Sequence, residues 1–188
     1  MPRPLVRRKK EPPTRALLRK IRLVVLDVDG TLTDGRLYYG REGEALKAFD
    51  VRDGHGLRLL QICTGMKLAV LTGRPADLIR ARCAELGIAH IVERSREKGA
   101  ALRRISAELE VPLEATCFMG DDVNDLAALE LCGLPACPSD AVPEVVRACR
   151  YVAPSPGGRG AVRALCELLL AATVGWPPRE PPPSAFAT

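Results

Sequence analysis

The sequence predicts a three-layer, doubly wound parallel α/β sheet that carries a β-hairpin insertion and no separate cap domain. Three observations lead there. Short runs of Leu and Val without polar alternation recur along the chain, the pattern of strands buried on both faces. Segments of helical periodicity lie between them with short connections, which implies right-handed crossovers. Each polar motif directly follows one of the runs, so the motifs converge on one edge of the sheet, where open α/β sheets hold ligands.

The first run, Leu23-Val24-Val25-Leu26, leads into Asp27, Asp29, Gly30, Thr31 and Asp34. Residues 37–39 and 45–49, joined by the turn at 40–43, read as a β-hairpin. A helix is expected over 54–63, stopped by Gly65, and a second buried strand over 67–71. Pro75 suits a helix's first turn and Gly87 its end. A strand at 88–92, a helix at 98–109 and a strand at 116–119 follow, and Gly120-Asp121-Asp122-Val123-Asn124-Asp125 opens another helix. Strands at 134–136 and 151–152 bracket a helix at 142–149, and the last helix spans 161–171. Asp34 to Arg52 has room for a hairpin only, and Thr72 to Lys98 for one helix and one strand, so a cap of about 50 residues does not fit.

With 188 residues and 47% hydrophobic content, the chain can bury one good core. This places one domain at 15–172 between mobile tails at 1–14 and 173–188. The formal charge of +5 suits an anionic small substrate. Much of it sits in Arg7-Arg8-Lys9-Lys10, a block without interleaved aromatics that reads as a solvated tail rather than a nucleic-acid contact. Seven cysteines without a CxxC pair, and only two histidines, argue against zinc and for a reducing cytoplasm. No charged-then-apolar leader opens the chain and no apolar stretch approaches a membrane span, so a soluble protein with no membrane partner is expected.

Asp27 and Asp29 are two apart on a nearly extended chain, so both reach one small volume, while Gly30 lets the backbone turn out of the sheet. Two such carboxylates repel unless one is protonated or a cation lies between them, and a hard ion such as magnesium is the expected resolution. A calcium loop would want Gly at the sixth position and Glu at the twelfth, where Leu32 and Tyr38 stand. A plain Asp-Gly turn does not account for three acids beside a buried strand. The remaining reading is an aspartyl nucleophile, Asp27, with Asp29 as the acid/base that protonates the leaving oxygen and later deprotonates water.

Thr72, ending a buried strand before Gly73, can hold phosphoryl oxygens with its hydroxyl or can cap the next helix. Lys98 opens a helix, where the dipole disfavours a cation, and either neutralises charge shared by Asp27 and a phosphate or lies on the surface. Asp121 and Asp125, four apart beside a glycine, either serve the site or cap their helix. Jointly, and in this order, the segments Asp27-Val28-Asp29-Gly30-Thr31, Thr72, Lys98 and Gly120 to Asp125 resemble the four motifs of the haloacid dehalogenase superfamily of phosphotransferases. That resemblance implies Asp27 as nucleophile, Asp29 as general acid/base, and Thr72 and Lys98 as phosphate binders. It also implies magnesium held by Asp27, the Asp29 carbonyl and Asp121, with the parts of Asp122 and Asp125 left open.

A narrower resemblance covers about residues 21–170. DVDGTLTDGRLYYGREGEALKAFDVRDGHGLRLL, TGRPADLIRARCAELGI and PSPGGRGAVRALCELLL look like the 3-deoxy-D-manno-octulosonate 8-phosphate (Kdo 8-phosphate) phosphatase family of lipopolysaccharide biosynthesis. One departure is Glu93-Arg94 before Ser95, where many members carry Gln-Gly. The resemblance implies a magnesium-dependent phosphatase of an acidic sugar phosphate, and a homotetramer built through the hairpin, with the segment after Pro156 reaching an adjacent site. Thr72, Gly73, Arg74, Arg82, Lys98 and Arg52 form the expected substrate-binding set. Arg82 falls within the apolar stripe of Leu78, Ile79, Cys83 and Leu86 and is expected to meet the substrate's carboxylate, unless its head snorkels to water. Competing functions are a phosphatase of a nine-carbon sialic or deaminated sialic acid phosphate, a signalling receiver, and a non-catalytic partner domain of a sugar nucleotidyltransferase.

Overall fold

A computed structural model describes residues 11–179; the basic block 7–10 and most of the two expected tails lie outside the described residues. Six strands make one parallel sheet in the order β5-β4-β1-β6-β7-β8. They are β1 Leu23–Leu26, β4 Lys67–Leu71, β5 His90–Val92, β6 Thr116–Met119, β7 Leu134–Cys137 and β8 Tyr151–Val152. A separate antiparallel hairpin pairs β2 Tyr38–Gly40 with β3 Gly43–Leu46.

The side-chain alternation of β1 explains the layers. Val24 and Leu26 pack with α2 Val51–Thr64, α3 Asp77–Glu85 and α7 Ala161–Thr173 on one face, while Leu23 and Val25 pack with α4 Lys98–Glu108, α5 Leu126–Leu129 and α6 Pro143–Ala148 on the other. All four β1 side chains are fully buried, so each contributes roughly 1.5–3 kcal/mol of transfer free energy. β1 lies between β4 and β6, and the chain first builds the sheet to one side of it and then to the other. Its carboxyl end is therefore the topological switch point, where such sheets bind ligands.

Local chemistry shifts several expected boundaries. A short helix α1, Arg15–Lys20, precedes β1 because the Thr14 hydroxyl accepts from the Leu17 amide at 3.2 Å. The helix expected from Gly54 starts at Val51, because the Asp50 carboxylate caps it by accepting from the Arg52 amide at 2.7 Å. The acids after β6 form a short 3-10 turn, Val123–Asp125, before α5 rather than opening a continuous helix. All seven cysteines are free, and six are buried. Among the described residues, no helix is long and apolar enough to cross a membrane.

Candidate active site

The floor of the site is laid by the ends of β1 and β6. The Asp27 amide still donates to the Met119 carbonyl at 2.9 Å, so the ladder fixes the residue that follows the strand. The backbone then breaks out in a wide turn over Val28–Leu32, with Gly30 at φ 86°. A side chain at Gly30 would be excluded twice, because a Cβ there would lie 2.1 Å from Asp121 Oδ2. Gly120 is held in the same way: a Cβ would come within 2.4 Å of the Asp125 carboxyl carbon. Both glycines are empty space for a carboxylate.

Lys98 is 2% exposed, lying 2.7 Å from Asp27 Oδ1 and 2.5 Å from Asp125 Oδ1. A buried ammonium is costly unless paired, and these two acids keep it charged. Asp125 Oδ2 accepts from the Asp121 and Asp122 amides at 3.0 and 3.2 Å. Asp125 is thus occupied by the lysine and by its own turn, whereas Asp27 and Asp121 face the cavity.

These acids outnumber their counter-ions. Burial, the Asp125 carboxylate next, pushes Asp27 up to about 6 against the pull of Lys98. Burial and then Asp27, Asp125 and Asp122 push Asp121 up to about 8. One oxygen from each of Asp27, Asp121 and Asp125 lies within 4.8 Å of the others. An all-oxygen set with two carboxyls driven toward protonation fits a hard divalent cation. The hydrogen bonds of Asp125 give it a supporting place, with Asp27 and Asp121 as the side chains free to ligate.

A cavity of about 260 Å³ opens above this floor, lined among others by Asp29, Gly35, Thr72, Gly73, Arg74, Asp122 and Asn124 as well as Asp27, Lys98 and Asp121. Of the expected site residues, then, Asp27, Asp29, Thr72, Gly73, Arg74, Lys98 and Asp121 come together. Thr72 is 2% exposed, and its Oγ1 accepts from the Arg74 amide at 3.1 Å. It shapes its own turn rather than capping α3.

The rim carries two residues that sequence reasoning passed over. Lys47, just past the hairpin, has a side chain only 2% exposed, and its Nζ bonds Asp29 Oδ1 and, at 2.6 Å, Glu44 Oε1. Glu44 Oε2 in turn accepts from Arg74 Nη2 at 2.7 Å. Partial burial opposes ionisation of Glu44, but Lys47 and Arg74 outweigh it and hold its carboxyl below the usual range. The Glu-x-x-Lys spacing was visible in the sequence, but nothing in it told a buried pair from a solvated one.

Two expected substrate contacts stand elsewhere. Arg82 does not line the cavity. The stripe of Ile79, Cys83 and Leu86 faces α2, which brings the guanidinium over Gly54, where a Cβ would meet its Nη2 at 2.1 Å. Glu85, three residues on, accepts from Arg82 Nη1 at 2.8 Å, so the arginine already has an acid partner. Arg52 points outward, its side chain 70% exposed, and pairs with the cap residue Asp50 at 2.8 Å. The Gly-rich segment after Pro156, expected to reach an adjacent site, packs on its own chain. The Gly158 amide donates to the Thr31 carbonyl at 3.0 Å, and a Cβ on Gly157 would strike the Gly30 carbonyl oxygen at 1.8 Å. Its glycines buttress the loop that carries Asp29.

Known proteins resemble this chain in sequence and in fold. A family model described as haloacid dehalogenase-like hydrolase matches residues 77–165. The 3-deoxy-D-manno-octulosonate 8-phosphate phosphatase of Salmonella typhi is 43% identical over 152 residues, 81% of this chain and 80% of that one. The crystal structure of the Moraxella catarrhalis enzyme of that name, in complex with magnesium ion, phosphate ion and KDO, superposes with a TM-score of 0.81 at 36% identity. It covers 85% of this chain and 91% of the other. The cobalt-bound deoxy-D-mannose-octulosonate 8-phosphate phosphatase of Haemophilus influenzae gives 0.80 at 38% identity, over 83% and 91% of the chains.

Proposed function

The chain belongs to the 3-deoxy-D-manno-octulosonate 8-phosphate phosphatase family of haloacid dehalogenase-like hydrolases, and on that premise we propose that it hydrolyses Kdo 8-phosphate to Kdo and phosphate, in lipopolysaccharide biosynthesis. The observation that carries the reading is the buried Asp27, held 2.7 Å from Lys98 on the floor of a cavity that Thr72 and Asp29 also line. The Asp27 carboxylate attacks phosphorus as the bond to the sugar's ester oxygen breaks, and Asp29 delivers a proton to that oxygen. Asp29 then takes a proton from water, which attacks the aspartyl phosphate, frees phosphate and restores Asp27.

Lysine has three donors, so Lys98 keeps one for a phosphoryl oxygen after meeting Asp27 and Asp125. The Thr72 hydroxyl holds another oxygen. Asp27, Asp121 and the Asp29 carbonyl would hold a divalent cation, magnesium in this reading, which supplies charge neutralisation for the phosphoryl group. The test is phosphate release from a panel of eight- and nine-carbon acidic sugar phosphates beside neutral ones. Kdo 8-phosphate should lead in kcat/KM by about tenfold or more; equal turnover of a neutral hexose phosphate would overturn the substrate assignment.

Leu37, Tyr39 and Leu46 stand 43%, 67% and 51% exposed on and beside the hairpin, apolar surface that supports a homotetramer joined there. A monomeric mass in light scattering at micromolar concentration would rule this out.

A further inference from the structure

A lysine on the rim has an ammonium buried in the site. The hairpin around Lys47 is exposed or half-buried, with Tyr38, Tyr39 and Leu46 open to solvent, yet the lysine side chain itself is 2% exposed. Lysine heads ordinarily snorkel to water and stay buried only when paired. Here both partners are carboxylates: Asp29, which lines the cavity, and Glu44, which is anchored in turn by Arg74 after β4. The chain Arg74–Glu44–Lys47–Asp29 ties the hairpin to the floor within one subunit.

Its geometric effect falls on one torsion. The outer torsion of an aspartate side chain is broad and roughly two-fold, so a carboxyl on a turn presents either oxygen in many orientations. Lys47 bonds Oδ1 alone, which removes that freedom and leaves Oδ2 for the cavity. We propose that Lys47 is a positioning residue that fixes the Asp29 carboxyl through Oδ1, so that Oδ2, protonated in the complex with substrate, delivers its proton to the leaving oxygen as the phosphorus–oxygen bond breaks, leaving the carboxylate that next takes a proton from water. Through Lys47 the hairpin sets the chemical step of its own subunit, besides any contact with a neighbour. This rests on the acid/base reading of Asp29.

The test separates proton delivery from everything else by the leaving group. A sugar phosphate must expel an alkoxide and needs the proton, whereas 4-nitrophenyl phosphate expels a stable phenolate and needs it far less. Lys47→Met keeps the aliphatic stem and removes the ammonium. The ratio of kcat/KM on Kdo 8-phosphate to kcat/KM on the aryl ester, which reports phosphoryl transfer to Asp27 and not the hydrolysis step that both substrates share, should fall about tenfold, short of the ~10²-fold or more expected for losing the acid itself, with KM little changed. Lys47→Arg should restore part of it. An unchanged ratio, or a loss confined to the KM for the sugar phosphate, overturns the proposal, since Lys47 would then serve the fold or touch the substrate directly. Glu44→Gln loosens Lys47 without removing it and should shift the ratio the same way; it gives the reading if Lys47→Met does not fold. Asp29→Asn is run beside them. If that variant shows no leaving-group dependence, the acid/base reading itself fails, a result distinct from the failure of Lys47 alone.

Discussion

The floor and the rim of the site are held by opposite kinds of force. On the floor, Asp27, Lys98 and Asp125 are 5%, 2% and 0% exposed, ladder bonds and glycine contacts fix their places, and carboxylates exceed cations. On the rim, Arg80–Glu93 and Arg74–Glu44 are pairs whose arginines stand 53% and 37% open to water, where an ion pair contributes roughly 0–1 kcal/mol. The floor therefore carries electrostatic strain that suits the chemistry. Apart from the buried Lys47 and the Glu44 that holds it, the rim carries replaceable contacts that orient and select.

The largest effect that sharpens this contrast is Asp27→Asn. The amide is nearly isosteric and Lys98 keeps Asp125, so the fold should persist while kcat drops by up to ~10⁶-fold, the scale of losing a nucleophile. Removing one of the crowded carboxylates should also leave the metal-free variant at least as thermally stable as the parent at pH 8. A marked fall in Tm would show that Asp27 helps hold the floor together, and the division between strained floor and stable scaffold would break.

The next test is a pH profile without metal. Asp27 and Asp121 are carboxyls raised in the folded state to about 6 and about 8, so the folded chain binds more protons than the unfolded one between about pH 4 and 8. Stability must then fall as pH rises through that window. In chelator, Tm should drop by several degrees from pH 5 to 8, each kcal/mol being worth roughly 2–4 °C at this size. Magnesium should restore it above pH 6, and Asp121→Asn should flatten the profile. A Tm that climbs over this range in chelator would contradict a floor overloaded with carboxylates.

How far each region was legible in the sequence follows the same divide. Asp27, Thr72 and Asp121 each close an apolar run, and the junction of a buried strand with a polar residue is a local signal that folding does not move. Lys47 has no such signal, because a Lys beyond an exposed hairpin strand reads as solvated until the hairpin's fold toward Asp29 is seen. Asp53 was passed over for a related reason. It is 1% exposed and caps α7 from α2, accepting from the Arg163 amide at 2.7 Å, a contact across 110 positions that no window detects. Arg82 shows the converse. Its helix periodicity is plain in the sequence, but the face it lies on turns toward α2 rather than the cavity, and periodicity does not say which neighbour a face meets.

The smallest expected effect lies at Glu93-Arg94, in the loop after β5. Glu93 Oε2 accepts from the Ala76 amide at 2.6 Å at the start of α3, so the acid caps a helix that lacks a capping side chain of its own. Arg94 stands at φ 54°, in the left-handed region, which costs a non-glycine residue roughly 1–2 kcal/mol. A glycine relieves that strain but gives back roughly 0.5–1 kcal/mol through the freedom of its unfolded chain. Arg94→Gly should therefore gain a few tenths to about 1 kcal/mol, a rise in Tm of about 1–3 °C. The one backbone contact of this residue at the site, its amide to the Arg74 carbonyl at 3.2 Å, survives the change. Turnover of Kdo 8-phosphate should accordingly stay within about twofold, as for other surface changes away from the chemistry. If Tm falls instead, the arginine side chain holds the loop by a contact worth more than its strain. If activity falls tenfold with Tm unchanged, this loop acts on the substrate, and the rim cannot be separated from the machinery below it.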